Sequence, residues 1–560
     1  MGESGSDTAA NTWSGFTSRR GFLKAVGAAG ALLGGGALLS ACNSGDGQGG
    51  SSSDVTLNVS ADGPYGPMPT KKEQKASIGS RAYAEALQAW LKKNPGVTFK
   101  RVSVNVWDQE AITTAVTGGT APAAYVSNVI GSWDAAGIRS AFLQGLAAEV
   151  TDLVEESKLL PRLSDYAKPI WEKIWTVNGS YYAAPSSYNV GVGIHYRKDL
   201  VNELGLKMPA PGWTWADVRE LAKGMTEGKR KGIALQSWGL QGGVSAEGLG
   251  LLSEMPAPDT SWNWSWDYSS NLDHWAQIIG EMRDMRFEDQ SVMADITFGD
   301  GEIWNAFIRG DACMHMNTVV FYTAEPTADS THVALAKKLD KPLEEVVGWA
   351  PPPVGRNGYR PDLSQGQIDA TSFSPDLDDD ALSAIFDLHV FMIGEGFVQQ
   401  KNMLYDETKD LKQVYNFDKI TPVLKDTLDG MPGSPDEAWG TEFMDTVRAA
   451  GDHELMPNTA WFIPVEEQVG PTSEAVDDAF SKWWFERGTV DIAADLKRME
   501  DVRNTQAQSF TSSVADEEFT AGARKYYEDH DAFWQKNAPE FYEGVFRDWY
   551  AQKIRPALGA

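Results

Sequence analysis

The chain has 560 residues, 42 % of them hydrophobic, with 49 basic and 78 acidic side chains and a formal charge of −29. That length suggests about two to four domains with sizeable cores, and that charge excludes the basic footprint of a nucleic-acid binder. Two cysteines far apart exclude a disulfide scaffold, a CxxC pair and a four-cysteine zinc site, while 21 Trp, 22 Phe and 17 Tyr supply many flat apolar rings.

The N-terminus carries an address. Ser18-Arg19-Arg20-Gly21-Phe22-Leu23-Lys24 reads as a twin-arginine (Tat) export pattern. The apolar stretch from Ala25 to Ala41 is Gly-rich and short of the roughly 20 apolar residues a membrane span needs. It ends in Leu39-Ser40-Ala41-Cys42, which resembles the lipobox of bacterial lipoproteins. The resemblance implies a signal peptide over 1–41 and a lipid anchor, palmitate included, on Cys42, with 42–53 as a Gly/Ser linker. Cys313 then has no intramolecular partner, so no structural disulfide is expected. No later run of 18 apolar residues occurs, and the body of the protein is expected to lie in water.

Strands and helices then alternate. Val55–Ser60 reads as a β-run closed by Asp62-Gly63-Pro64. Ala82, Ala86, Leu87 and Trp90 fall at helical spacing between Ser80 and Lys93, and Asn94-Pro95-Gly96 stops that helix. Val97 to Val106 alternates as a strand, a helix ends at Gly118-Gly119, and a brief strand over Ala123–Val126 opens into a loop at Ser127-Asn128. This is the βαβ order of an open, mostly parallel sheet covered by helices. Asn178-Gly179 predicts a type I′ hairpin turn, Thr214 an N-cap ahead of a core Trp215, and Gly310 a C-cap before a strand over Ala312–Met316. Asp376 to Asp380 has the look of a calcium loop, but Ala381 stands where Gly is needed. Those acids more simply complement the dipole of a helix over Ala381–Met392.

From about residue 150 the motif order resembles family 1 extracellular solute-binding proteins, the receptors of carbohydrate ABC importers that include the maltose-binding type. The resemblance rests on Val177-Asn178-Gly179-Ser180-Tyr181-Tyr182-Ala183-Ala184-Pro185, on Ile194-His195-Tyr196-Arg197-Lys198-Asp199-Leu200 and on Pro211-Gly212-Trp213-Thr214-Trp215. It continues through Phe307-Ile308-Arg309-Gly310-Asp311-Ala312-Cys313-Met314, Gly348-Trp349-Ala350-Pro351-Pro352-Pro353 and Met456-Pro457-Asn458-Thr459-Ala460-Trp461. It implies an α/β, two-lobed periplasmic-binding-protein-like (type II) fold with a ligand cleft between the lobes. The first lobe is expected over 54–188 and 317–373, the second over 189–316 and 374–509, with an extra helical region over 510–560. The chain exceeds the family's usual length, which is similar to the larger lipoproteins serving oligosaccharides such as aldouronates.

The implied function is capture of a carbohydrate, expected to be an oligosaccharide, and delivery to ABC permease subunits at the outer face of the cell membrane. A monomer is expected, with no cofactor, metal or nucleic acid. A sugar offers apolar faces to aromatic rings and hydroxyls to Asn, Asp and Arg. Ligand contacts are therefore expected from Asp62, Asn128, Trp133, Tyr188, Asn189, Phe321, Tyr322 and Trp461, on loops after strands and at the lobe crossings. Trp262, Trp264 and Trp266 form either a stacking platform or core, and Arg356 and Arg360 would suit a uronate. Two rivals stand beside this reading, a secreted polysaccharide-degrading enzyme and a receptor for peptides or other solutes. Catalysis is disfavoured: Gly243-Val244-Ser245-Ala246-Glu247 fails the closing glycine of a nucleophile elbow. The seven histidines form no HExxH motif, and no P-loop is present.

Overall fold

The computed structural model describes residues 54–560 except 132–134, 164–170, 172–174, 178, 189–191, 236–255, 294–299, 319–331, 356–359, 362–367, 417–422, 453, 456–473, 515–516, 538 and 560. β1 (Val55–Ser60) runs parallel to β2 (Val97–Val102), joined by helix α1 (Ile78–Lys93), with Val55 opposite Val97 and Ser60 opposite Val102. β2 stops at Val102 rather than Val106 because β1 offers no backbone beyond Ser60. There the Ser60 hydroxyl takes over, donating to the Val104 carbonyl at 2.8 Å. Helix α2 (Gln109–Thr117) leads to β3 (Ala124–Val126), and the Ala123 N–H donates to the Asn58 carbonyl at 2.7 Å, tying β3 to β1.

β3 runs directly into a one-turn helix, α3 (Ser127–Ile130), and not into the expected loop; all four residues of α3 are buried. β4 (Ala184–Tyr188) and β3 both pair antiparallel with a strand from far downstream, β8 (Ile368–Phe373). β5 (Val192–Arg197) is the centre of a second sheet, flanked antiparallel by β6 (Met314–Thr318) and β7 (Val347–Ala350). The expectation of a mostly parallel sheet is thus corrected. Strand–helix–strand spacing fixes only the local β1–α1–β2 unit, whereas strands inserted from distant sequence enter in whichever direction the chain returns.

Both faces of β5 are buried, and its neighbours fit around it. Trp349 lies where a Cβ on Gly193 would sit 2.4 Å from the indole, and the Tyr196 ring lies where a Cβ on Gly348 would sit 2.2 Å away. Only glycine fits at either position. β6 begins at Met314, two residues later than expected, because its register is set by pairing Met314 with Tyr196.

Local signals read in the sequence close as hydrogen bonds. Thr176–Val177 pairs with Ser180–Tyr181 across the turn, with Gly179 at φ 89°. Thr214 and Asp217 form a reciprocal capping box at helix α4 (Trp215–Met225): the Asp217 N–H donates to Thr214 Oγ1 at 3.3 Å and the Thr214 N–H to Asp217 Oδ2 at 2.9 Å. Trp215 is buried in the core, as expected. Thr214→Ala is expected to lower stability by about 1 kcal/mol, read as a lower urea midpoint with an unchanged slope. Gly310 sits at φ 88° at the end of the helix preceding β6.

α5 (Leu272–Phe287) packs on α4, and α6 (Asp300–Arg309) packs on β6 and on α7 (His332–Lys338). Asp378 caps α8 (Asp379–Ile393), its carboxylate accepting from the Ala381 N–H at 2.9 Å, so the acidic run serves the helix start. α8 lies on β1, β4 and β8, and α9 (Glu395–Thr408) lies on α1. α10 (Glu474–Phe485) and α11 (Ile492–Val514) both pack on α5, and α12 (Glu517–Asn537) continues the helical tail. No single described helix is long and apolar enough to cross a membrane.

Candidate functional site

In an open α/β sheet, ligands bind beyond the carboxyl ends of the strands. The carboxyl ends of the parallel pair β1 and β2 are built by Asp62 and by Asn105-Val106-Trp107. Val106 is fully buried and anchors the second loop, Asn105 Oδ1 accepts from the Trp107 N–H at 3.0 Å, and the Trp107 indole Nε1–H donates to the Asp62 carbonyl at 3.1 Å. The Trp107 ring is 53 % exposed in a protein that buries most of its tryptophans. Asp62 is exposed beside it. An exposed indole held at a strand's carboxyl edge next to an outward-facing carboxylate offers a flat apolar surface and a hydrogen-bond acceptor together. Asp62 is a residue expected from the sequence. Trp107 is not, although its place directly after the β2 run is a usable signal.

Asn128 lies on α3 and is 1 % exposed; its Oδ1 accepts from the Ala370 N–H at 3.5 Å, where the β8–β4 register shifts. Next to it the Ser127 and Ser372 hydroxyls meet at 2.7 Å. Asn128 and Ser127 thus tie α3 to β8. Tyr188 ends β4 opposite Ile368. Cys42, Trp133, Asn189, Phe321, Tyr322, Trp461 and Arg356 lie outside the described residues, and Arg360 opens a two-residue strand paired with Glu454.

The tryptophan triplet is core. Trp262, Trp264 and Trp266 are 9 %, 1 % and 2 % exposed, and the helical tail covers them. The Trp264 Nε1–H donates to Tyr527 Oη at 3.0 Å, and that hydroxyl donates to the Pro256 carbonyl at 3.0 Å. The Arg503 guanidinium stacks 4.1 Å from the Trp266 ring centre and donates to Tyr268 Oη at 2.5 Å. Asn504 clasps the Trp266 backbone from both sides, accepting from its N–H at 2.7 Å and donating to its carbonyl at 3.2 Å. The every-second-residue spacing is the same for a ligand platform and a docking face; α11 and α12 decide which it is.

Three of the seven histidines, scattered in sequence, converge. His195 on β5, His315 opposite it on β6 and His332 at the start of α7 are all buried, and a ring nitrogen of each lies within 4.8 Å of the others. Cys313 is free and buried, and burial pushes its thiol up to about 11, so it is an inert core side chain.

The two sheets with flanking helices and the tail define a two-lobed, periplasmic-binding-protein-like fold. The model of the bacterial extracellular solute-binding protein family matches residues 72–373, and the chain belongs to that family, whose members bind solutes and do not transform them. Among solved structures, UgpB from Mycobacterium tuberculosis in complex with glycerophosphocholine is similar with a TM-score of 0.54 at 12 % identity, over 81 % of this chain and 99 % of that one. Maltose-bound MalE3 of T. maritima gives 0.53 at 17 % identity, over 81 % and 99 %. A solute-binding protein from Agrobacterium vitis S4 with bound D-mannitol gives 0.51 at 19 %, over 81 % and 98 %. At these identities the likeness is one of fold. No curated protein sequence matches the chain significantly.

Proposed function

We propose that this protein is a lipid-anchored carbohydrate receptor that captures an oligosaccharide between its lobes and hands it to an ABC import permease. The observation that carries the reading is the exposed Trp107 ring, fixed by the Asp62 carbonyl at the carboxyl edge of β1 and β2 in a family of solute binders. Pairing supports a first lobe on β1 to β4 and β8 with α1, α8 and α9, and a second on β5 to β7 with α4 to α6 and the tail. In this division 317–318 and 347–350 move to the second lobe and the helices from 379 to 408 to the first, relative to the boundaries drawn from sequence. A ligand touching both lobes favours the closed state, since only there are both sets of contacts made. Maltose and mannitol in the similar structures agree with a polyol ligand, whereas glycerophosphocholine on the same fold keeps a non-sugar solute as the second reading.

Calorimetry on the purified protein should show saturable one-to-one binding of a sugar that chromatography recovers intact. Steady release of products would overturn the reading in favour of an enzyme, and a thermal-shift screen answering only to non-sugar solutes would favour the second reading. Trp107→Ala is expected to weaken sugar binding by roughly 10- to 150-fold, about 1.5–3 kcal/mol, while leaving the unliganded stability nearly unchanged. Trp461→Ala should give a similar loss if Trp461 contributes the opposing ring; kept affinity with a large stability loss would make it packing. Cys42→Ala should release the protein from the membrane fraction or leave its precursor uncleaved, because stable attachment takes two acyl chains.

A further inference from the structure

The His195, His315 and His332 cluster lies apart from the Trp107 edge and has no part in the proposed sugar binding. Register puts two of its members side by side: His195 and His315 are cross-strand partners on β5 and β6, so both side chains leave the same face of the sheet. His332, at the start of α7, reaches that face and is the third. The His315 and His332 rings meet through their Nε2 atoms at 2.9 Å with planes 21° apart, edge toward edge. The His195 ring lies over both, its centre 4.7 Å from that of His315 and 4.6 Å from that of His332. Phe307 from α6 closes the side of the cluster, 4.9 Å from His315 and 5.1 Å from His332.

We propose that these three imidazoles form a binding site for a divalent transition metal of the zinc type. Two nitrogens of a tetrahedral zinc site with bonds of about 2.0–2.1 Å stand roughly 3.3–3.4 Å apart, a small opening from the Nε2–Nε2 contact. His195 completes three nitrogen donors by turning its ring about χ2, a soft torsion. An imidazole ligates in its neutral form, through the ring nitrogen that carries no proton. Imidazole selects zinc, copper and nickel over calcium and magnesium. Three neutral donors leave the ion's charge uncompensated and one tetrahedral position open, which calls for an anionic oxygen or chloride as the fourth ligand.

The test uses the full exported chain, stripped with a chelator and dialysed, and titrated with Zn2+ and Co2+ in the absence of sugar. The expected result is one-to-one Zn2+ binding, a raised thermal midpoint, and the visible absorption of tetrahedral Co2+ developing to the same stoichiometry. His315→Asn and His332→Asn should each abolish the Co2+ spectrum, and circular dichroism should show them folded. Because the Co2+ spectrum is read on the unmodified protein, the test stands even if a variant does not fold. No saturable binding, or an octahedral Co2+ spectrum that both variants keep, would overturn the proposal and leave a stack closed by one shared N–H. Sugar binding by the metal-stripped protein is expected to be kept, so this outcome is separate from that of the carbohydrate reading.

Discussion

Replacing Trp264 by Ala is expected to cost about 3–5 kcal/mol, a large part of the total stability of a typical domain. The indole is 1 % exposed and its centre lies 5.7 Å from that of Trp262, so truncation leaves a cavity between the β-hairpin at 264–265 and the tail. It also removes the donor to Tyr527 Oη, a buried hydroxyl that then loses a hydrogen bond. Urea unfolding should show a lower midpoint, and limited proteolysis should cut α11 and α12 first, because their docking face has been lost. A Trp264→Phe variant should recover much of the packing but not the hydrogen bond. Sugar affinity falling while apo stability is kept would overturn the docking role and return the triplet to the cleft.

Acidification should destabilise the protein through His389. This imidazole, on α8, is fully buried against Phe373 and Phe386. Its Nε2 faces the Pro185 carbonyl at 3.0 Å, which can only accept, so Nε2 carries the proton and Nδ1 accepts from the Tyr65 hydroxyl at 2.6 Å. Both ring nitrogens are thus satisfied in the neutral form. Burial lowers the histidine to about 4, against the opposing pull of the Pro185 hydrogen bond. The unfolded chain, with an ordinary imidazole near 6.5, therefore binds more protons than the folded one between these values. Stability is full above about pH 6.5 and falls as pH drops toward about 4, by about 3 kcal/mol in all and about 2 kcal/mol by pH 5. The difference in unfolding free energy between the wild type and His389→Gln, measured from pH 7 to 5, should shrink by that amount. A difference that stays constant with pH would show that His389 does not carry the effect.

Much of the local structure is legible in short stretches of sequence. Thr214 with Asp217, Asp378 before its helix, and Gly179 in its hairpin are decided within three or four residues, and each closes as read. The helix ending at Asn94-Pro95-Gly96 is likewise a local matter, since Pro cannot continue it and Gly need not. The candidate site is only half legible. Asp62 is marked by its place after the first strand, but what sets Trp107 apart from the buried tryptophans is its 53 % exposure, which only the folded chain decides. Asn128 shows the reverse: a residue type suited to ligands is turned inward by Ala370, which lies 242 residues away.

The sequence by itself determined the capping and turn chemistry, the β1–α1–β2 unit and the order of family motifs. All of these are properties of short windows or of their order along the chain. Tertiary structure alone decided the antiparallel insertion of β8 between β3 and β4, the cover of α11 and α12 over Trp262, Trp264 and Trp266, and the meeting of His195, His315 and His332. The physical reason is common to the three. A period of two residues in a strand, or a lone histidine, fixes which face a side chain leaves by. What stands across that face is set by which distant segment returns to cover it.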